Sequence, residues 1–146
     1  MGNNRIAYDE IRSALSIIPN VCHYLKGDFS LIRGDAEKNL SLITAQKMSL
    51  ETGENTYRKA FGDNHPMVAF ALQKQCILYI DLKCVQNAYK YFEASEQACE
   101  ILKRNLREQL DSCNTDFLSN YNIDQHPILK RQESLAKRIM RNQGAW

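Results

Sequence analysis

Residues 63–102, DNHPMVAFALQKQCILYIDLKCVQNAYKYFEASEQACEIL, decide the fold. Asn64 offers a side-chain acceptor to the first free N–H groups of a helix. Pro66 fits the first turn, where a missing N–H costs nothing. Val68, Ala69, Leu72, Cys76, Tyr79 and Ile80 then fall on one side of a helix, mostly at steps of three and four. Asp81-Leu82-Lys83-Cys84 follows as a turn, without the glycine that such a turn favours. Val85, Ala88, Phe92, Ser95, Cys99 and Leu102 form a second stripe of the same period. The small residues Cys76, Ala88 and Ser95 let two helix backbones approach, and Leu72, Tyr79, Val85 and Phe92 fill the space around them. The stretch therefore predicts two antiparallel helices joined by a short turn.

The rest of the composition agrees with an all-α domain. The chain has 146 residues, long enough for a substantial core. Apolar residues make up 44% and charged residues 25%, which excludes a disordered composition. Only 6 Gly and 3 Pro favour helices over turn-rich β structure. A net charge of +2 gives no argument for a nucleic-acid or membrane partner. The five cysteines (22, 76, 84, 99 and 113) are odd in number, and none is paired at CxxC spacing. Cys76 and Cys99 lie on apolar stripes, where a thiol acts as a small hydrophobe. Reduced thiols in a cytoplasmic or nuclear protein are the expectation. His23, His65 and His126 are too far apart to suggest a metal site, so no metal and no cofactor are expected. Residues 1–10 are too polar for a signal peptide, and no apolar run approaches the roughly 18 residues of a membrane span.

Outward from the hairpin, the N-terminal third reads less sharply. Ile6, Ile11, Leu15 and Ile18 mark a short helix that Pro19 ends. Val21, Tyr24, Leu25 and Phe29 suggest another, interrupted near Gly27-Asp28, and Gly34 reads as a turn. Asp35 then reads as the cap of a long helix reaching Phe61, with Leu40, Ile43, Leu50 and Tyr57 as its stripe and a bend at Gly53. Gly62 supplies the stop. The division expected is therefore 1–34, short N-terminal helices, and 35–146, the helical domain proper. After the hairpin its second helix continues to about Leu110, and a polar, turn-like stretch covers 111–122. A last helix from about Asp124 carries Ile128, Leu135 and Ile139.

One segment recurs. Phe61-Gly62-Asp63-Asn64-His65-Pro66 returns as Asn122-Ile123-Asp124-Gln125-His126-Pro127, and both precede an apolar-periodic helix. An acidic residue near the positive end of the helix dipole and a proline in the first turn describe a repeated helix start. Repetition of such a unit is the mark of a solenoid.

The hairpin positions resemble the tetratricopeptide consensus. There, a large residue is followed by a small one four later and an aromatic three beyond, here Leu72, Cys76 and Tyr79. The second helix gives small, aromatic, small, here Ala88, Phe92 and Ser95. Lys83 stands where the turn glycine is usual, and Gln75 where leucine is usual. FGDNHPMVA, residues 61–69, is similar to the start of the kinesin light chain type of repeat. The two His-Pro starts about one long hairpin, and the charged helix HPILKRQESLAKRIMRNQ at 126–143, more closely resemble the C-terminal helical domain of the SET and MYND domain lysine methyltransferases. The resemblance spans 35–143. It implies tetratricopeptide-like hairpins stacked as an α-solenoid, with a groove for a peptide or partner protein. The catalytic SET domain and the zinc-binding clusters of that family have no counterpart in this sequence, so the activity does not carry over.

No phosphate-binding glycine loop, dinucleotide fingerprint or nucleophile elbow occurs. His65 and His126 read as capping residues before proline, not as general bases, and no catalytic residue is expected. In a solenoid the first helix of each hairpin lines the concave face. Gln73 and Lys74 lie off the stripe as drawn and would donate hydrogen bonds to a ligand's carboxylates or backbone carbonyls, with Phe70 as an apolar contact. The expected function is a non-catalytic protein–protein interaction module. The alternative is the regulatory or substrate-positioning part of a methyltransferase. Lys130, Arg131, Lys137, Arg138 and Arg141 against Asp124 and Glu133 make the final segment basic. A solvated helix face accounts for that better than a nucleic-acid site does.

Overall fold

The computed structural model describes residues 2–18, 23–112 and 121–143. Expectations for Pro19, Val21, Cys22, Cys113, Phe117, Leu118 and Trp146 lie outside them. Among the described residues the regular elements are all helical: α1 (Gly2–Ile17), α2 (His23–Asn39), α3 (Ile43–Phe61), α4 (Pro66–Asp81), α5 (Val85–Ser112), a 3-10 turn (Ile123–Gln125) and α6 (Pro127–Asn142). Contacts divide them into two units, Met1–Asp63 and Asn64–Trp146. The division expected at 34/35 is not where the structure makes one, because α2 runs unbroken through both residues.

In the first unit α2 and α3 form an antiparallel hairpin. The break in the helix expected from 35 to 61 comes at Leu40-Ser41-Leu42. Ser41 adopts φ 58°, its N–H donates to the Lys38 carbonyl, and the Leu42 N–H donates to the Glu37 carbonyl at 2.8 Å. This is a Schellman termination with serine in the position glycine usually holds. Asp35 is thus not a cap, and Gly34 is not a turn. The glycines serve close packing instead. A Cβ at Gly27 would sit 2.6 Å from the Tyr57 ring, one at Gly34 2.8 Å from Leu50, and one at Gly53 2.6 Å from Leu31. Each helix thus seats a large side chain of its neighbour over a bare backbone, and the Tyr57 hydroxyl donates to the Asp28 carboxylate. The other glycine expectation holds: Gly62, at φ 85°, closes α3.

α1 packs on α2, and its one buried residue, Tyr8, meets Arg33 of that helix. Of the stripe expected for this helix, Ile6 is 58% exposed. α1 stops two residues before Pro19, as the steric restriction ahead of proline favours.

The second unit begins with the predicted hairpin. α4 and α5 join through Leu82-Lys83-Cys84, with Lys83 at φ 56°. Its N–H donates to the Ile80 carbonyl, and the Cys84 N–H donates to the Tyr79 carbonyl. This is the same Schellman turn as at Ser41, 42 residues further on, again without glycine. Cys76, Ala88 and Ser95 are wholly buried, and the Cys76 thiol donates to the Ala88 carbonyl at 3.3 Å. Backbones that close require small residues at the crossing, as the sequence pattern implied.

α6 runs parallel to α4 and antiparallel to α5, and packs on both. Two apolar clusters result. One joins Ala69, Cys99, Leu102, Ile128 and Leu129; the other joins Cys76, Ile80, Ala88, Leu135 and Ile139. The His-Pro echo proves to be a pair of identical caps. His65 Nδ1 accepts from the Met67 N–H at 3.1 Å, and His126 Nδ1 from the Ile128 N–H at 3.2 Å. The histidine itself, rather than Asn64, caps α4.

Candidate functional site

Between the two apolar clusters of the second unit lies a polar layer. Ala69, Gln73, Cys76 and Ile80 descend one face of α4; Ile128, Gln132, Leu135 and Ile139 descend α6 with the same steps of four, three and four. A glutamine occupies the second place on each. Gln73 Nε2 donates to Gln132 Oε1 at 3.0 Å and to the Ile128 carbonyl at 3.0 Å, with Cys99 Sγ 3.8 Å away. Gln132 Nε2 in turn donates to Glu96 Oε1 of α5 at 2.7 Å. The relay therefore links all three helices. Gln73 Oε1 is buried with no hydrogen-bond partner, which leaves part of the amide's desolvation cost uncompensated.

The relay corrects the expected site. Gln73 is 0% exposed and lies in the core, because its position belongs to the α4 face that α6 covers. A stripe drawn for a two-helix hairpin had no place for that third helix. Gln75 is also buried, with Nε2 near the Ala71 carbonyl at 3.5 Å. Phe70 and Lys74 are half-buried and do come together: Lys74 Nζ lies 5.3 Å from the Phe70 ring centroid. Arg131 of α6 joins them, its guanidinium carbon 4.4 Å from the same centroid. An aromatic ring flanked by two cations is favourable by roughly 0.5–1 kcal/mol per cation at exposed sites. The exposed Arg131 guanidinium presents donors that suit a ligand's oxygen atoms.

On the other flank of α6, facing α5, a cleft of about 370 Å³ opens, lined by Glu96, Cys99, Lys103, Asp124, Leu129, Gln132, Glu133 and Ala136. Its volume lies within the range of small-ligand sites. Glu96 is held in the lining by the amide relay, and Asp124 is brought in by the 3-10 turn. Glu133 bonds Lys137 at 2.7 Å, which holds its carboxyl below the usual range. The one cation of the lining, Lys103, has its pKa raised, first by the hydrogen bond from Nζ to Glu100 and then by the charges of Glu100, Glu96 and Asp124. Burial pushes the Cys99 thiol up to about 11, so it stays protonated near neutral pH and packs as an apolar group. The lining thus holds three carboxylates and one ammonium, with Glu133 paired to Lys137 and Lys103 to Glu100. Its aliphatic wall, Leu129 and Ala136, suits a methylene stem.

The basic character of the last helix is largely taken up inside the unit. Arg138 pairs with Asp81 of α4, Lys137 with Glu133, and Arg131 stacks on Phe70. Gln143 Nε2 also donates to the Tyr89 hydroxyl at 2.8 Å, fixing the far end of α6 to α5. Among the described residues no group of three or more His, Cys, Asp or Glu could hold a metal ion, and no helix is long and apolar enough to cross a membrane.

The sequence reading singles out neither Glu96 nor Gln132, and takes Arg131, Asp124 and Glu133 only as part of a solvated charged face. A signal was present for Gln132: a polar residue in apolar register on the final helix, matched by Gln73 in apolar register on α4. Comparison with protein-family models, curated proteins and solved structures finds no match to this chain.

Proposed function

We propose that the chain is a non-catalytic interaction module of tetratricopeptide-like hairpins, which binds an extended segment of a partner protein across the first turns of α6. The cleft takes a lysine or arginine side chain of that segment, and Lys74 and Arg131, gathered at Phe70, take its carboxylates or backbone carbonyls. The observation that carries this reading is the buried relay from Gln73 through Gln132 to Glu96, which holds a cleft carboxylate in place before any ligand arrives. A pre-set acceptor costs less ordering on binding than a freely rotating one. The repeated turn at Ser41 and Lys83 supports the tandem-hairpin part of the proposal, since both hairpins end their first helix in the same way.

A selection of displayed peptides against the whole chain tests it. Binders should share one basic position, and Glu133→Lys should weaken them about tenfold, as loss of one charge-assisted contact implies. Lys74→Ala should weaken those that also carry an acidic residue. Binders without a common charge, or indifferent to both substitutions, would contradict the proposal.

A second reading, a regulatory or substrate-positioning part of a protein methyltransferase, is favoured by the two His-Pro-capped starts on either side of one long hairpin. A SET domain encoded in the same natural reading frame would support it, and its absence there would remove it.

A further inference from the structure

The first unit holds a separate cluster of charge. Arg5, Tyr8 and Arg12 share one face of α1 at steps of three and four. Arg33 reaches the same place from α2. The three guanidinium carbons lie 5.5, 5.8 and 5.8 Å from the centroid of the one Tyr8 ring. Tyr8 is buried, so the ring forms a fixed platform rather than a mobile side chain.

Two carboxylates partly balance the three cations. Arg33 Nε pairs with Glu37 at 2.8 Å; Arg5 Nε lies 3.5 Å from Asp9, a loose contact between two well-exposed side chains. Arg12 pairs with no carboxylate among the described residues and is exposed. Cation–π attraction at roughly 0.5–1 kcal/mol per pair does little more than offset the mutual repulsion of three like charges. The arrangement thus leaves local positive charge, and guanidinium donors beyond the ones that Asp9, Glu37 and the Tyr8 hydroxyl occupy.

We infer that Arg5, Arg12 and Arg33, gathered around Tyr8, form a binding site for a phosphate monoester. A carboxylate has two oxygens and suits a single arginine fork, and the cluster already carries two carboxylates. A phosphate monoester offers three oxygens and nearly two charges, and so satisfies three forks at once. The phosphate belongs either to a phosphorylated side chain or to a small phosphorylated metabolite. This site lies within the first unit and does not depend on the cleft of the second.

The test is an NMR titration of the whole chain, following the arginine Nε–H signals. Sodium phosphate and N-acetyl-O-phosphoserine amide are each compared with chloride and acetate at matched ionic strength. Saturable shifts of Arg5, Arg12 and Arg33 with the two phosphates are expected, with Arg104 and Arg107 of α5 unmoved. Tighter binding of the phosphoserine derivative would identify a phosphorylated side chain as the source; tighter binding of free phosphate would identify a small molecule. Arg12→Gln should weaken binding about tenfold, and Arg12→Lys by less, since charge is kept and the fork is lost. Should Arg12→Gln disturb the fold, Arg5→Gln serves in its place. Equal shifts with chloride or acetate, or shifts of Arg104 and Arg107 as large as those of the cluster, would overturn the inference.

Discussion

The two hairpins of this chain share a turn and differ in everything that the turn joins. α2–α3 and α4–α5 both pass through a three-residue Schellman connection with a non-glycine residue at positive φ. In the first, the helices interlock through bare backbone at Gly27, Gly34 and Gly53. In the second, the crossing uses Cys76, Ala88 and Ser95, and a third helix covers the rest with a buried amide relay. The first unit also leaves Ile6, Ile17, Tyr24, Ile32, Leu42, Ile43, Met48 and Phe61 exposed, whereas the second exposes Tyr121 and Met140 among its described large apolar residues. A common turn therefore fixes how two helices are connected. What makes one unit a carrier of a shaped polar cleft is the helix added to it.

The largest effect should come from removing the relay. Gln73→Ala leaves Gln132 Oε1 without its donor, removes a second donor from the Ile128 carbonyl, and opens a cavity between two apolar clusters. A loss of about 3 kcal/mol is expected in chemical denaturation. A loss below about 1 kcal/mol would mean that the polar layer does not hold α6.

Next comes the glycine interlock. In an open helix, alanine for glycine is favourable by about 1 kcal/mol. At Gly27 the added Cβ meets the rigid Tyr57 ring, itself held by Asp28, and overpacking costs about 1–3 kcal/mol. Gly27→Ala should therefore destabilise by about 1 kcal/mol net. Gly34→Ala should cost less, because Leu50 presents a flexible end. Stabilisation by Gly27→Ala would show that the helices can move apart freely.

Smaller still is the shared turn. Lys83→Gly relieves a left-handed lysine and should raise the unfolding free energy by about 0.5–1 kcal/mol. Ser41→Gly should do likewise, and opposite signs at the two sites would break their equivalence.

The smallest effect is a pH dependence. Burial lowers the pKa of His65, whose Nδ1 caps α4. Between its folded value and the unfolded value near 6.5, the unfolded chain binds more protons at this site. The stability it contributes is thus complete above about 6.5 and is lost as pH falls through the folded value. The thermal midpoint should fall between pH 7 and 5 by more in the wild type than in His65→Asn, which caps without titrating. Equal slopes would remove the cap from the account.

Much of the second unit was legible in the sequence because its apolar period and its small residues act within one hairpin. The stripes of α4 and α5, the His-Pro starts and the final helix all follow from local spacing. Gln73 was misplaced because its burial depends on α6, 55 to 59 residues away. The first unit misled for a different reason. Glycine marks either a turn or a close approach, and a single sequence does not distinguish them; at Gly27, Gly34 and Gly53 it was approach. The true turn at Ser41 lacks the glycine that usually marks the left-handed position of such a termination. Of the expected site, Phe70 and Lys74 meet as a pair, and Arg131 joins them only through the third helix.

The most direct measurement follows the side-chain amide signals of Gln73 and Gln132, with the backbone signals of Glu96, Asp124 and Glu133, while the whole chain is titrated with a short lysine peptide or its norleucine counterpart. If the cleft takes charge on an aliphatic stem, as proposed, saturable shifts in these signals are expected with the lysine peptide alone. Identical shifts with both peptides, or no shift around the cleft, would contradict the account.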